Sequence, residues 1–292
     1  MPEFLPHGHR ARATPRGRRA PVGGRRWTLL LLAMLAVVVG AGGALSAGRP
    51  GAVAETLAAG TPAPRPTAAP LTPSPLPVVT PSPSAASPAP LLQLAGPVPS
   101  AGRGGFGYDD RAGPVLGRGG PVQRYRVAVE NGSGEDVHAF SEEAQAALAG
   151  PGSWVDSGRL RLRRVPAGEG YDFTIYLATA NTAGRMCRAG GVDIRVGGRP
   201  YTSCRASGKV IINLDRWRTS VPHFVRAGVP LSLYRTYVVN HEVGHQLGHR
   251  HERCPGSGRP APVMQQQSLF LDGCTANPWP YLDGRPYTGR PV

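Results

Sequence analysis

From residue 105 to the C-terminus the sequence predicts one α+β domain on a single mixed, twisted sheet, and three observations predict it. Short runs of alternating apolar and polar residues recur between Gly, Pro and Asn, which is the period of half-buried strands. Two longer segments carry helical composition with helix stop signals. Their order is strand, helix, four strands, helix, which layers helices on one sheet instead of alternating them with every strand.

The first strand is Tyr125–Glu130 (YRVAVE), followed by the turn residues Asn131-Gly132-Ser133-Gly134. Val137–Leu148 is rich in Ala and Glu and is closed by Gly150-Pro151, so it reads as the first helix. Leu160–Val165, Asp172–Ala178, Val192–Val196 and Lys209–Leu214 read as the next four strands. A loop with Pro222 and Pro230 leads into the second helix, from Ser232 to Leu247. Ser232 is placed to cap its start, and Gly248 to end it in a left-handed conformation. Beyond Gly248 the chain is rich in Pro, Gly and Gln, which predicts a short irregular C-terminal subdomain.

Ahead of this domain the composition changes twice. Residues 1–26 are basic and are expected to stay cytoplasmic. Residues 27–47 include the uncharged run WTLLLLAMLAVVVGAGGAL, long enough to span a bilayer as an anchor and to leave the rest of the chain outside the cell membrane. A cleaved signal segment, with Ala52-Val53-Ala54 as a processing site, would instead release a secreted protein. Residues 48–104 are almost wholly Ala, Pro, Ser, Thr, Gly, Leu and Val, a composition that cannot bury a core and reads as a disordered linker. About 57 such residues at roughly 3.1 Å each reach on the order of 170 Å when extended.

The formal charge is +15, and Lys209 is the single Lys among the cations. In the domain the arginines are scattered along strands and loops, with no basic helix and no stacking-aromatic motif, which argues against a nucleic-acid partner. Attraction to an anionic cell surface is the expectation. Four Cys, at 187, 204, 254 and 274, suit two disulfides in an exported chain. Of the three possible pairings, Cys187–Cys204 and Cys254–Cys274 close the shorter irregular segments. A Cys-ligated metal is the rival, but no C-x-x-C spacing occurs.

Chemistry is concentrated in Asn240–His251, NHEVGHQLGHRH. His241 and His245 are four apart, so on a helix they project from one face and can share an ion. Glu242 stands beside them as a proton acceptor rather than a ligand. Gly248 lets the chain turn and return His251 as a third ligand, leaving a fourth position open, as catalytic zinc sites do. His249, also four residues after His245, is the alternative third ligand. His138 and His223 lack partner spacing, and Tyr234 and Tyr237 read as core residues.

These residues match H-E-x-x-H-x-x-G-x-x-H, and the chain here resembles the metzincin zinc metallopeptidases. More narrowly, HEVGHQLGHRHE…CPG…PAPVMQQQ…GC…NPWP resembles an exported actinobacterial metzincin-like family of unassigned function. The resemblance implies a metzincin-like fold, Zn2+ on His241, His245 and His251, Glu242 as general base, and Met264 as the Met-turn residue beneath the metal. It also implies hydrolysis of peptide bonds in a peptide or protein substrate. Gln266 stands where some metzincins place a tyrosine ligand. Two other functions fit the same residues: a zinc amidase acting on cell-wall peptides, and a non-catalytic surface-binding module that keeps the metal.

Overall fold

A computed structural model describes residues 89–292. The N-terminal basic segment, the apolar run 27–47 and linker residues 48–88 lie outside the described residues. Among the described residues no helix is long and apolar enough to cross a membrane.

The first elements are β1 (Phe106–Tyr108), β2 (Val115–Leu116), β3 (Val122–Glu130), α1 (Val137–Ala149), β4 (Arg161–Arg164) and β5 (Phe173–Ala178). They are followed by α2 (Ala180–Ala189), the two-residue strands β6 (Arg195–Val196) and β7 (Arg199–Pro200), β8 (Cys204–Ala206) and β9 (Lys209–Asn213). Then come α3 (Leu214–Thr219), α4 (Pro222–Arg226), α5 (Leu231–Gln246), β10 (Tyr281–Leu282) and β11 (Arg285–Pro286). The fold is a mixed α+β arrangement. Its main sheet runs β2-β4-β3-β5-β9-β8, with β1 also on β3. β3, β4, β5 and β9 are mutually parallel, while β1, β2 and β8 pair antiparallel at the margins.

Central position explains the composition of β5. All six residues of FTIYLA are buried, because both faces of a parallel central strand are covered. One face, through Tyr125, Val127, Phe173 and Ile175, packs the main core with α1 and α5. Helix α1 begins where Asp136 accepts from Ala139 N at 2.8 Å. It ends at Gly150, where a Cβ would meet the Trp279 ring at 2.5 Å.

The structure departs from the sequence expectation in several places. Val192–Val196 is not a strand of the main sheet, since only Arg195–Val196 pairs, in a hairpin with Arg199–Pro200. Val192 instead closes α2, donating its N–H to Cys187 O at 2.9 Å. Neither α2 nor β8 is expected from the sequence. Leu214 does not extend β9; it opens α3, whose start is capped by Asn213 accepting from Asp215 N at 3.0 Å. Ser232 does not cap α5. The helix begins one residue earlier, after Pro230, and Leu231 N donates to Leu91 O at 2.8 Å. That bond also bears on the linker boundary at 104. Leu91 and Leu94 pair with Leu231 and Arg218 through their backbones, and Arg103 N donates to Asn131 O at 2.8 Å, so residues 91–103 run along the folded body. Backbone pairing of this kind leaves no trace in composition.

Both disulfides form in the sequential pairing, Cys187–Cys204 and Cys254–Cys274. The first ties α2 to β8, and the second closes the coil after α5. With a sequence separation of 17, the Cys187–Cys204 bridge is expected to contribute about 3 kcal/mol. The prediction is that the double variant Cys187→Ala/Cys204→Ala unfolds in urea with stability lower by about that amount. An unchanged midpoint would show that the bridge constrains nothing.

Asp109 anchors the segment after β1. It is buried and meets Arg111 and Arg164 at 3.1 Å each, with His138 at 3.2 Å. Burial pushes its carboxyl up, but hydrogen bonds from Arg111 and Ser141 outweigh this and hold it at about 2, below the ordinary 3.8. The folded state therefore favours the ionised form. That stability is complete above pH 3.8 and is lost as pH falls through about 2. Asp109→Asn is predicted to lower stability at neutral pH and flatten the acid limb of the stability profile. An identical profile from pH 2 to 5, on the order of three pH units of titration, would contradict this role.

Candidate metal centre

Helix α5 is almost wholly inside the protein from Tyr237 to Gly244, so its polar residues have to find partners there. Asn240 is fully buried and donates through Nδ2 to Ala147 O and Pro278 O, both at 3.2 Å. Its own carbonyl accepts from the Trp154 indole at 2.8 Å. One turn of α5 is thereby tied to α1, to the short 3-10 turn Trp154–Ser157 and to the C-terminal coil.

The structure brings His241, His245 and His251 together, each offering a nitrogen within 4.8 Å of the others. His241 Nδ1 donates to Val263 O at 2.8 Å, and His245 Nδ1 to His249 O at 2.9 Å. These bonds fix the tautomer and leave Nε2 as the free lone pair on both rings. His245 Nε2 and His251 Nε2 face each other at 3.0 Å. Two ligand nitrogens sharing a tetrahedral zinc would stand roughly 3.3 Å apart, so the spacing fits such an ion. Burial, with the neighbouring His245, lowers His241 to about 3 and His251 to about 4; burial lowers His245 too. All three rings are neutral at pH 7, the state a metal needs.

Gly248 has φ +98°, a left-handed conformation that favours glycine, and from there the chain doubles back to His251. His249 takes a different place. Its ring stacks on Trp154 with centroids 4.2 Å apart, outside the converging triad. His138 sits in the Asp109 cluster, where two guanidinium groups already neutralise the carboxylate, and His223 Nε2 bonds Gln267 O at 2.8 Å.

Glu242 is 4% exposed, and its Oε2 is buried without a hydrogen-bond partner. Burial alone pushes its carboxyl up to about 8. Both Glu242 and the three histidines line a cleft of about 460 Å³. One wall is Ser203 with Cys204 and Arg205 of β8, the strand that ends the sheet, and the other includes Gln266, Ser268 and Leu269. Arg205 is held on that wall by Gln246, Nε to Oε1 at 2.9 Å.

Met264 lies beneath the helix in a turn where Gln265 N donates to Pro262 O at 2.9 Å. Its sulfur occupies the space a Cβ on Gly244 would need, and the Trp154 ring would be 2.7 Å from that Cβ. The turn is scaffolded by side chains that no sequence signal singles out. Gln267 donates to Pro262 O and Asn277 O at 3.1 and 2.7 Å, and Asn277 donates to Ala261 O at 2.9 Å. Gln267 in PVMQQQ and Asn277 in NPWP lie inside the runs that carry the family resemblance, but a lone amide in a coil has no periodicity to mark it.

The fold and site thus define a mixed α+β protein with a three-histidine centre and a buried glutamate. Residues 92–278 match the family described as Protein of unknown function (DUF3152), and the chain belongs to that family. No curated protein and no solved structure matches it.

Packing around Gly244 generates a prediction. Ala is the better helix former by about 1 kcal/mol, yet Gly244→Ala is expected to destabilise by about 1–3 kcal/mol because Met264 and Trp154 must move. Thermal unfolding measures it. A raised midpoint would show that the contact is loose.

Proposed function

We propose that the protein is an exported zinc metallopeptidase of metzincin type. The observation that carries the proposal is Glu242 Oε2, buried and unpartnered beside three converging neutral imidazoles. A structural metal site has no use for such a group, and burying it is costly unless it serves chemistry. Two disulfides in the domain suit an oxidising compartment. The left-handed Gly248 and the Met264 turn under Gly244 are the further features that support a metzincin-type reading.

His241, His245 and His251 would hold the ion, and zinc bound there supplies Lewis acidity toward water and a carbonyl group. Glu242 would accept the proton of the attacking water and hand it to the leaving amine nitrogen; burial alone raises its carboxyl to about 8, and a dication held by the neighbouring histidines would lower it toward the range where it can accept a proton. An extended peptide can lie along β8, which ends the sheet and lines the cleft, bonding through its backbone while side chains reach the opposite wall. Arg205 gives that wall a cation.

The test is purified full-length protein assayed for bound metal and for cleavage of a broad peptide mixture. One zinc per chain is expected. Glu242→Gln should keep it while lowering turnover by about 10²–10⁴-fold. Cleavage undiminished in that variant would refute the role of Glu242. Zinc retained without cleavage of any peptide would move the assignment to a cell-wall amidase or a metal-keeping binding module.

A further inference from the structure

The second face of the main sheet is divided. Over the carboxyl ends of the parallel strands it is apolar, and Ala128, Tyr176, Ala178 and Ile211 pack there with α2 residues. Over their amino ends it carries five cations: Arg124, Arg126, Arg161, Arg163 and Lys209. Alternation along the strands places these opposite to the core-facing Tyr125, Leu162 and Val210. Register brings them side by side, with Val122 opposite Arg161, Arg124 opposite Arg163, and Thr174 between Arg126 and Lys209. Neighbouring strands are about 4.8 Å apart, so Arg126 and Lys209 project from points roughly 10 Å apart.

Among the described residues, every ion pair is made by other groups. Like charges directly opposite, as Arg124 and Arg163 are, destabilise a sheet. The acids of the adjoining loop are Glu169 and Asp172, and Asp172 already accepts from Arg124 N at 2.6 Å. Arg126 does not point freely outward. Its guanidinium lies 3.4 Å from the Tyr171 ring centre and donates to Ala167 O, which holds a 47% exposed aromatic ring at the margin of the patch. Beside that ring is a concavity of about 410 Å³ lined by Tyr171, Asp172, Thr174, Tyr176, Ser207 and Lys209.

We propose that this half-face binds an acidic polysaccharide. A row of cations at strand spacing suits an anion repeated along a linear chain. The concavity adds an aromatic surface, hydroxyl groups and a carboxylate next to a cation, the set that seats a sugar ring bearing an acidic group. Exposed apolar groups here are Tyr171 and Val115, too small an area to hold a bilayer by insertion. No cationic helix or ribbon is present in the patch to enter a nucleic-acid groove. The surface stands apart from the histidine cleft in its residues, so it does not depend on hydrolysis.

The experiment compares three full-length proteins in non-ionic detergent: wild type, Arg124→Gln/Arg163→Gln/Lys209→Gln, and the charge-matched Arg199→Gln/Arg226→Gln/Arg285→Gln. All retain the same N-terminal arginines, so differences report the domain surface. Size-defined heparin is the probe, titrated over a series of salt concentrations. The half-face variant should bind about tenfold more weakly, with a log–log salt slope smaller by about two to three, while the control matches wild type. Equal affinity in all three, or equal loss in both variants, overturns the proposal. Loss confined to duplex DNA or to phosphatidylglycerol nanodiscs, with heparin binding intact, overturns the choice of polysaccharide. Thermal melts accompany each protein. Should the triple variant melt early, the exposed pair Arg124→Gln/Lys209→Gln carries the same comparison.

Discussion

The structure is organised around one constraint: a helix that carries ionisable groups runs through the interior. His241 and Glu242 sit in α5 where neighbouring positions Val239 and Val243 are fully buried. Every polar atom on that turn except the Glu242 oxygen and the Asn240 carbonyl oxygen of its side chain is bonded or aimed at the cleft. An unpaired buried group costs on the order of 1–3 kcal/mol, so surrounding elements must supply partners at fixed places. Asn240 draws in α1 and the C-terminal coil, Trp154 closes over its carbonyl, and His241 takes the Val263 carbonyl. The tight approach at Gly244 stems from the same requirement, because the turn that offers Val263 O also carries Met264 under the helix.

The coil after α5 does this work with almost no regular structure. Its backbone is held by side-chain amides, chiefly Gln267 and Asn277, together with isolated bridges such as Pro260 to Thr275. The Cys254–Cys274 bridge closes the loop that contains Met264, and the second bridge fixes the opposite wall by holding β8 to α2. Each side of the cleft is thus covalently tied close to where it is needed. That arrangement suits a site whose ligands come from one helix and the turn after it, where small shifts of the walls change what fits between them.

Much of the candidate site was legible because its determinants are local. Four-residue spacing puts His241 and His245 on one helical face whatever surrounds them, and Gly248 marks a turn by its conformational freedom. The choice between His249 and His251 was not local, since both come closely after Gly248; the Trp154 ring, almost a hundred positions earlier, takes His249 into a stack. Strands β4, β5 and β9 were read within a residue of their bounds, while β3 starts three residues before the Tyr125 at which its alternation was read. Helix α2 was not, because ANTAGRMCRA has small and polar residues with a Gly in its middle, and its stability comes from the sheet and from Cys204.

The sequence by itself determined the α+β class, the pairing expected of four cysteines, and the histidine pattern, all of which depend on short-range periodicity and on spacing. Tertiary structure alone decided that residues 91–103 run along the folded body, that α5 needs no serine cap, and that five cations gather on half of one sheet face. Backbone bonds from Leu91 and the register of parallel strands produce those results. Both join residues far apart in the chain, and a parallel register is set by side chains packing on both faces at once, which no single segment records.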